Sequence, residues 1–318
     1  MTLGDLEAAA RLVHRYVAPT PLVSWPLLCE RTGANAYVKH ENHTPVGAFK
    51  VRGGIVYVDW LRRAKPHVRG IATATRGNHG QSVAFAAARA GLAAAIVVPH
   101  GNSVEKNEAM RALGAELIVA GHDYQAARKH AEAVAAERGF EFLGPINEQL
   151  VLGVASYALE LFGSGIAFDA VYVPIGMGSG ICGLIAARDA LELTTEIVGV
   201  VAEGAPAYAL SFERGFPVET PSVDTFVDGV ACRVPDSDAV ASIVAGAARI
   251  VRASDAEVGA AMRAYFRDTH NVAEPAGAIA LAALLQESEA MRGKTVALIL
   301  SGENVDVDVY VDVLSGKR

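Results

Sequence analysis

Residues 171–183, VYVPIGMGSGICG, combine an apolar run with a glycine-rich loop and the start of an apolar helix. Gly178, Gly180 and Gly183 have the G-x-G-x-x-G spacing of loops that offer backbone N–H groups and a helix N-terminus to a phosphate. The following strand, EIVGVVAE, ends in Glu203, where a dinucleotide fold would hold a ribose. The stretch therefore predicts a phosphate site, and it leaves open whether the phosphate belongs to a dinucleotide or to another cofactor.

Strand and helix patterns alternate on both sides of this loop. Three strands and three helices are predicted over residues 71–142, and further strands and helices follow residue 170. Such alternation indicates parallel sheets with helices on both faces. We therefore expect an α/β protein with two domains and a cleft between them. Residues 211–238, rich in Pro, Asp and Thr, are expected to lie over the surface near that cleft.

Composition argues against several classes of protein. The 318 residues carry a formal net charge of -7 without a cluster of Lys and Arg, so nucleic-acid binding is not expected. Residues 1–17 have the pattern of an amphipathic helix, and the longest apolar region is interrupted, so neither a signal peptide nor a membrane span is expected. The isolated cysteines Cys29, Cys182 and Cys232 predict reduced, buried thiols in a cytoplasmic protein.

Lys50 is the first candidate for covalent chemistry. It lies at the predicted start of a helix in KHENHTPVGAFKVRGG, residues 39–54. The helix dipole and desolvation both disfavour its ammonium form, and a Schiff base requires a neutral amine. Without its neighbours, Lys50 would be interpreted as a solvated surface lysine.

Two other polar segments lie where open α/β sheets bind ligands. TATRGNHGQS, residues 73–82, places hydrogen-bond donors at a strand-to-helix turn. Such donors suit a carboxylate, although a simple helix cap uses the same residue types. LILSGENVD, residues 298–306, ends a buried strand in Ser301, at the sheet edge where ligands usually bind.

Together these segments resemble, in order, the fold-type II pyridoxal-phosphate enzymes, in the serine/threonine dehydratase branch that also contains serine racemase. The resemblance covers nearly the whole chain. It implies a tryptophan synthase β-subunit-like fold of two three-layer domains with open sheets. Residues 1–67 and 145–318 would form a large cofactor-binding domain, and residues 68–144 a small mobile one. The matching segments are TPL at 20–22, K-x-E-x-x-x-P-x-G-x-F-K-x-R-G at 39–53, G-N-H-x-Q at 77–81, the glycine loop at 176–179, E-P-A-G-A at 274–278 and S-G-x-N-V-D at 301–306.

The resemblance implies a role for each segment. Lys50 would carry pyridoxal 5'-phosphate as a Schiff base, with Phe49 beside the ring. Asn78 would form a hydrogen bond with the 3-oxygen of the cofactor, and Ser301 would face its pyridine nitrogen. The glycine loop would hold the single phosphate, which makes the dinucleotide spacing coincidental. The implied cofactor-binding residues are Phe49, Lys50, Asn78, Gly176, Met177, Gly178, Ser179 and Ser301, and the implied substrate-binding residues are Thr75, Arg76, Gly77, Asn78 and His79.

The implied activity is β-elimination by an ammonia-lyase. Lys50 would remove the α-proton of a β-hydroxy amino acid of the L-threonine/L-serine class, and the products would be a 2-oxo acid and ammonia. Relatives are commonly homodimers, and we expect the same here. Because Ala209 stands where cation-dependent relatives have an acid, no metal is expected. The chain ends at Arg318 without a regulatory domain, which favours a catabolic enzyme.

Besides Ala209, three residues depart from the family pattern. Arg76 stands where serine or alanine is commoner, and since arginine is a poor acid, a racemase is disfavoured. We hypothesise that Arg76 binds a polar or acidic substrate group, which makes 3-hydroxyaspartate or another β-substituted serine an alternative substrate. Ala48 replaces a serine and Glu303 a glycine, the latter without an assigned role. Outside this family, a nicotinamide-binding oxidoreductase and a non-catalytic ligand-binding protein are the alternatives.

Overall fold

Two β-sheets organise the structure, a computed structural model that describes residues 1–318. The strands, in chain order, are β1 Leu22–Ser24, β2 Asn35–His40, β3 Gly70–Ala74, β4 Ala93–Val98, β5 Glu116–Val119, β6 Glu141–Phe142, β7 Ala170–Pro174, β8 Glu196–Ala202, β9 Arg249–Ala253 and β10 Thr295–Leu300.

The strands pair almost entirely in parallel. The six-stranded sheet has the order β1-β2-β10-β7-β8-β9, and the four-stranded sheet has the order β5-β4-β3-β6. Only β1 and β2 are antiparallel. The predicted parallel sheets are therefore present, and the exception involves a three-residue strand that is too short to show periodicity.

Helices cover the faces of these sheets. The first helix is the amphipathic one expected at the N-terminus, and Thr2 and Asp5 form a capping box at its start. No helix is both long enough and apolar enough to cross a membrane. The helices are α1 Leu3–Val13, α2 Pro26–Thr32, α3 Lys50–Ala64, α4 Asn78–Arg89, α5 Val104–Ala112, α6 Tyr124–Arg138, α7 Glu148–Phe162, α8 Ser179–Ala190, α9 Ala207–Arg214, α10 Ser237–Gly246, α11 Asp255–Thr269, α12 Pro275–Gln286, α13 Ser288–Met291 and α14 Val307–Leu314.

The four-stranded sheet is built from one contiguous stretch of chain. All four of its strands lie between Gly70 and Phe142, within the predicted strand–helix run. Its helix α6 starts where the Asp123 side chain accepts a hydrogen bond from the backbone N–H of Ala126 at 2.8 Å. The helix ends at Gly139 in the left-handed region, as its sequence predicts. The domain limits at 68 and 144, and the mobility of this part, stay predictions.

The sequence pattern does not predict helix α7, Glu148–Phe162. Its buried residues lie on several faces, so it lacks the polar stripe that marks a surface helix. It packs between α3 and α8. A Cβ at Gly153 would lie 2.3 Å from the backbone oxygen of Arg52, so only glycine permits this approach of α7 to α3. Helix α7 therefore joins the two helices that begin at the cleft.

The segment expected to lie over the surface is partly internal. Between α9 and α10 its only regular element is a short 3₁₀ turn, Asp228–Val230, in keeping with the weak pattern. Val227 and Val230 are buried in the main core, however, so the surface position is wrong for this part. Their apolar side chains anchor a loop whose neighbouring residues line the cleft.

The three cysteines form no disulfide. Cys182 and Cys232 are buried as predicted, and burial raises the pKa of each thiol to about 12. Cys29, on α2, is only partly buried, so the prediction of a buried thiol is wrong for this residue.

Candidate active site

A cleft with a cavity volume of about 160 Å³ lies at the carboxyl ends of β3, β7 and β10. Open α/β sheets bind ligands at this edge. The structure brings every residue predicted for the site to the wall of this cleft, although it does not test their roles. These residues are Phe49, Lys50, Thr75, Arg76, Gly77, Asn78, His79, Gly176, Met177, Gly178, Ser179 and Ser301.

Lys50 is the first residue of α3 and reaches into the cleft. Its Nζ has no hydrogen bond or ion pair and lies 5.2 Å from the centroid of the Phe49 ring. Burial lowers the pKa of Lys50 to about 8, and the charge of Glu274 opposes part of this shift. About a tenth of the amine is therefore unprotonated at pH 7, far more than for an ordinary lysine.

The glycine loop connects β7 to α8 on the wall of the same cleft. Gly178 has a φ of 100°, which places it in the left-handed region, and α8 begins at the next residue. The Met177 carbonyl accepts a hydrogen bond from the Tyr208 hydroxyl at 2.8 Å, which holds the loop in place. Ser179 Oγ is buried without a partner. The loop thus offers a hydroxyl and helix N-terminal N–H groups to an anion.

Helix α4 begins at Asn78, within the predicted strand-to-helix turn of residues 73–82. Thr75 Oγ1 accepts hydrogen bonds from the N–H groups of Gly77 and Gly80, at 2.9 and 3.2 Å, and shapes the turn. Burial lowers the pKa of His79 to about 3, so its ring is neutral, and its Nε2 is buried without a partner. Because α4 starts at Asn78, the N–H groups of Asn78 and His79 have no partner within the helix, and a carboxylate could accept hydrogen bonds from them.

Asn78 is held from both sides. Its Nδ2 donates to Glu274 Oε1 at 2.6 Å, and its Oδ1 accepts from Asn304 Nδ2 at 2.9 Å. Because one Nδ2 hydrogen is used by Glu274, one remains available to a ligand oxygen.

Ser301 follows β10 and is buried. Its hydroxyl donates to the carbonyl of Ala276 at a long 3.4 Å. Its carbonyl accepts from the backbone N–H of Phe49 at 3.1 Å, so the C-terminal strand is joined directly to the start of α3.

Sequence reasoning missed three charged residues of the cleft wall. Lys106 Nζ, from α5, lies 2.9 Å from Asp228 Oδ2 and 3.4 Å from Glu274 Oε2. Glu274 is fully buried, its Oε2 has no well-formed hydrogen bond, and burial raises its pKa. The acid of the E-P-A-G-A segment was the only available signal, since Lys106 and Asp228 look like ordinary surface charges in the sequence.

The departures from the family pattern have distinct positions. The Arg76 side chain is exposed at the cleft and makes no hydrogen bond or ion pair. Glu303 lies outside the cleft wall, where it accepts a hydrogen bond from Asn42 at 3.2 Å. Ala48 is buried and bridges to Gly302 through its backbone. Arg76 is thus the only one of the three that lines this cleft.

The exposed Glu203, considered for a ribose, is not part of the cleft wall. The residues that do line it fit pyridoxal phosphate. The unpaired amine of Lys50 suits an aldehyde, and the buried, unpartnered hydroxyl of Ser179 in a glycine turn suits a phosphate.

Sequence comparison gives the same assignment. The profile of the family described as "Pyridoxal-phosphate dependent enzyme" matches residues 13–302. The chain is 31% identical to the L-threonine ammonia-lyase of Thermotoga maritima over 99% of its own length and 78% of that protein. It is 32% identical to the beta-hydroxyaspartate dehydratase of Paracoccus denitrificans over 96% of its length and 97% of that protein. It spans 58% of the biosynthetic L-threonine dehydratase of Salmonella typhimurium, at 32% identity.

Structural comparison agrees. The processed form of threonine deaminase isoform 2 from Solanum lycopersicum superposes with a TM-score of 0.92 at 29% identity, over 98% of this chain and 91% of that one. The expected fold class and cofactor are therefore confirmed.

Proposed function

Because the chain belongs to the pyridoxal-phosphate dependent enzymes, we propose that it is an ammonia-lyase that performs β-elimination on a β-hydroxy amino acid of the L-threonine/L-serine class. The products are a 2-oxo acid and ammonia. One observation carries the proposal: the unpaired Lys50 amine, whose pKa burial lowers to about 8, shares a cleft with the glycine loop.

Residues of both sheets would hold the cofactor. Lys50 would bind its aldehyde, and the N-terminus of α8 with Ser179 would bind its phosphate. Asn78 would form a hydrogen bond with the 3-oxygen of the cofactor ring, and Ser301 would face the ring nitrogen. When bound, pyridoxal phosphate withdraws electrons from the α-carbon of the attached amino acid.

The protein supplies the proton transfer and the binding of the substrate. Lys50, once free, is the base for the α-proton, and a pKa near 8 suits a base that works close to neutral pH. The N–H groups of Asn78 and His79 lie in the first turn of α4, where helical N–H groups have no partner within the helix. They would hold the substrate carboxylate.

The test is ammonia release by the purified holoenzyme from a panel of β-hydroxy amino acids. We expect release from L-threonine or L-serine and its loss, by about 10²-fold or more, in Lys50→Ala. Lys65→Ala is the matched control, because Lys65 pairs with Glu141 away from the cleft. A colourless protein that releases no ammonia from any member of the panel would refute the proposal.

A second candidate substrate is 3-hydroxyaspartate. It is favoured by the unpaired Arg76 at the cleft, and it agrees with the name of the Paracoccus relative. A guanidinium binds a second carboxylate through two parallel hydrogen bonds. In this case Arg76→Ala should lower kcat/KM for 3-hydroxyaspartate about tenfold or more while sparing L-threonine. Equal losses on both substrates would rule out this role.

We also propose a cytoplasmic, catabolic homodimer with a small mobile domain at residues 68–144. The free cysteines are compatible with a reducing compartment, and the contiguous four-stranded sheet supports a separate unit. Sedimentation velocity of the purified protein tests the dimer.

A further inference from the structure

Tyr157 is a large buried side chain for which the proposed chemistry has no role. It lies on α7 with no exposed surface. Its hydroxyl donates to the backbone carbonyl of Gly180 at 2.9 Å. Gly180 is the second residue of α8 and follows Ser179 of the glycine loop. Tyr157 therefore holds the first turn of the helix whose N-terminus faces the cleft.

The same ring contacts the other end of the site. Tyr157 and Phe49 meet edge to face, with ring centroids 6.1 Å apart and an interplanar angle of 84°. Phe49 directly precedes Lys50, whose Nζ lies 5.2 Å from the Phe49 centroid. One side chain thus touches the residue beside the reactive amine and also the helix that carries the glycine loop.

Helix α7 cannot easily shift relative to α3. Arg52, two residues after Lys50, donates to Ser156 Oγ at 3.0 Å and pairs with Glu160 at 2.5 Å, both on α7. Tyr157 lies between these two anchors in the sequence. Its position is therefore fixed with respect to Lys50 before any ligand arrives.

The hydroxyl also acts on the peptide that it contacts. A donor on the Gly180 carbonyl polarises the peptide unit and makes the N–H of Ile181, in the first turn of α8, a better donor. An anion at this N-terminus is bound more tightly because of that polarisation.

We propose that Tyr157 is a positioning residue that sets the spacing between Lys50 and the glycine loop, so that the aldehyde and the phosphate of the cofactor are bound at once. The inference rests on the proposed cofactor site. It requires that loss of the hydroxyl weaken phosphate binding while leaving the amine intact.

The test compares two aldehydes on apoenzyme. Pyridoxal phosphate uses both ends of the site, whereas pyridoxal, which has no phosphate, uses only Lys50. Titration followed by visible absorbance should give an affinity for pyridoxal phosphate about fivefold weaker in Tyr157→Phe, the loss typical of one hydrogen bond. The affinity for pyridoxal should not change. Inorganic phosphate should compete with pyridoxal phosphate correspondingly less well.

Tyr172→Phe is the matched control. Its hydroxyl is also hydrogen-bonded inside the protein, to Glu287 at 2.6 Å, but Tyr172 does not line the cleft. We expect wild-type affinities for both aldehydes in this variant. Thermal denaturation of each apoenzyme shows whether the fold survives, and Tyr157→Leu, which also removes the aromatic contact, serves as a second variant.

Two results would overturn the proposal. One is an unchanged affinity for pyridoxal phosphate in Tyr157→Phe and Tyr157→Leu. The other is an equal loss for both aldehydes, which would mean a general structural role. Neither measurement involves turnover, so a wrong substrate class would leave this test unaffected.

Discussion

Arg52 and Lys106 are both buried cations placed between two carboxylates, but their surroundings differ. Arg52 binds Glu41 at 2.7 Å and Glu160 at 2.5 Å. With Lys39, which also binds Glu160, this cluster contains two cations and two carboxylates. Each of its four charged groups has a close partner of opposite charge.

The cluster around Lys106 is not balanced in this way. It contains one cation and two carboxylates, and Glu274 keeps an oxygen without a well-formed hydrogen bond. The pKa values differ accordingly. Arg52 and Lys39 overcome the effect of burial and lower the pKa of Glu160 to about 2, whereas burial raises the pKa of Glu274.

The difference separates a structural cluster from one suited to chemistry. The Arg52 cluster joins β2, α3 and α7 and does not line the cleft, so its charges cannot contact a ligand bound there. The Lys106 cluster lines the cleft and contacts Asn78, so its unsatisfied oxygen lies where a ligand or a proton could be bound. Imbalance of buried charge therefore marks the functional region better than burial does.

Breaking the balanced cluster should have the largest effect on stability. Arg52→Met leaves Glu41 buried without its guanidinium, and we expect a loss of about 3–5 kcal/mol in the free energy of unfolding. Chemical denaturation of the apoenzyme measures it. Arg63→Ala, which breaks the exposed pair with Asp59, is the control and should cost less than about 1 kcal/mol. Comparable losses in the two variants would contradict the distinction.

Acid should weaken the same cluster. Because the folded pKa of Glu160 is about 2 against an ordinary 4.5, its carboxylate contributes stability above pH 4.5 that is lost as the pH falls towards 2. The contribution is about 3 kcal/mol. Denaturation at a series of pH values should show this decline in the wild type and a flatter profile in Glu160→Gln. Parallel profiles would mean that Glu160 is not stabilised as a carboxylate.

At the cleft we expect a smaller effect, a change in the pKa of Lys50 when the charge of Glu274 is removed. The charge of Glu274 raises the pKa of Lys50, so Glu274→Gln should move the midpoint for aldehyde binding by the apoenzyme below its wild-type value near pH 8. The rate of pyridoxal phosphate binding against pH measures this midpoint. Glu289→Gln, which alters an exposed acid paired with Arg292, is the control. An unchanged midpoint would mean that Glu274 carries a proton in this pH range.

Much of the fold could be predicted from the sequence, because it depends on patterns within short stretches of chain. Glycine at 139 ended a helix, apolar runs predicted buried parallel strands, and five of the six motif segments supply residues of the cleft wall. The two charge clusters, around Arg52 and around Lys106, could not be predicted from the sequence. Arg52 belongs to a motif segment, but Glu160 lies 108 residues away from it, and Lys106 and Asp228 are 122 residues apart, so the sequence could not show that these charges pair. Helix α7 was missed because it is apolar along most of its length and buried on several faces, so its polar residues mark no surface side.

The placement of β10 also has a consequence for how the protein is made. This strand, Thr295–Leu300, lies between β2 and β7, so the six-stranded sheet stays divided until β10 has left the ribosome. The four-stranded sheet has all its strands once Phe142 is synthesised. We therefore expect the nascent chain to carry one finished sheet beside an open gap, and the N–H of Phe49 to gain its Ser301 partner only after β10 has been synthesised.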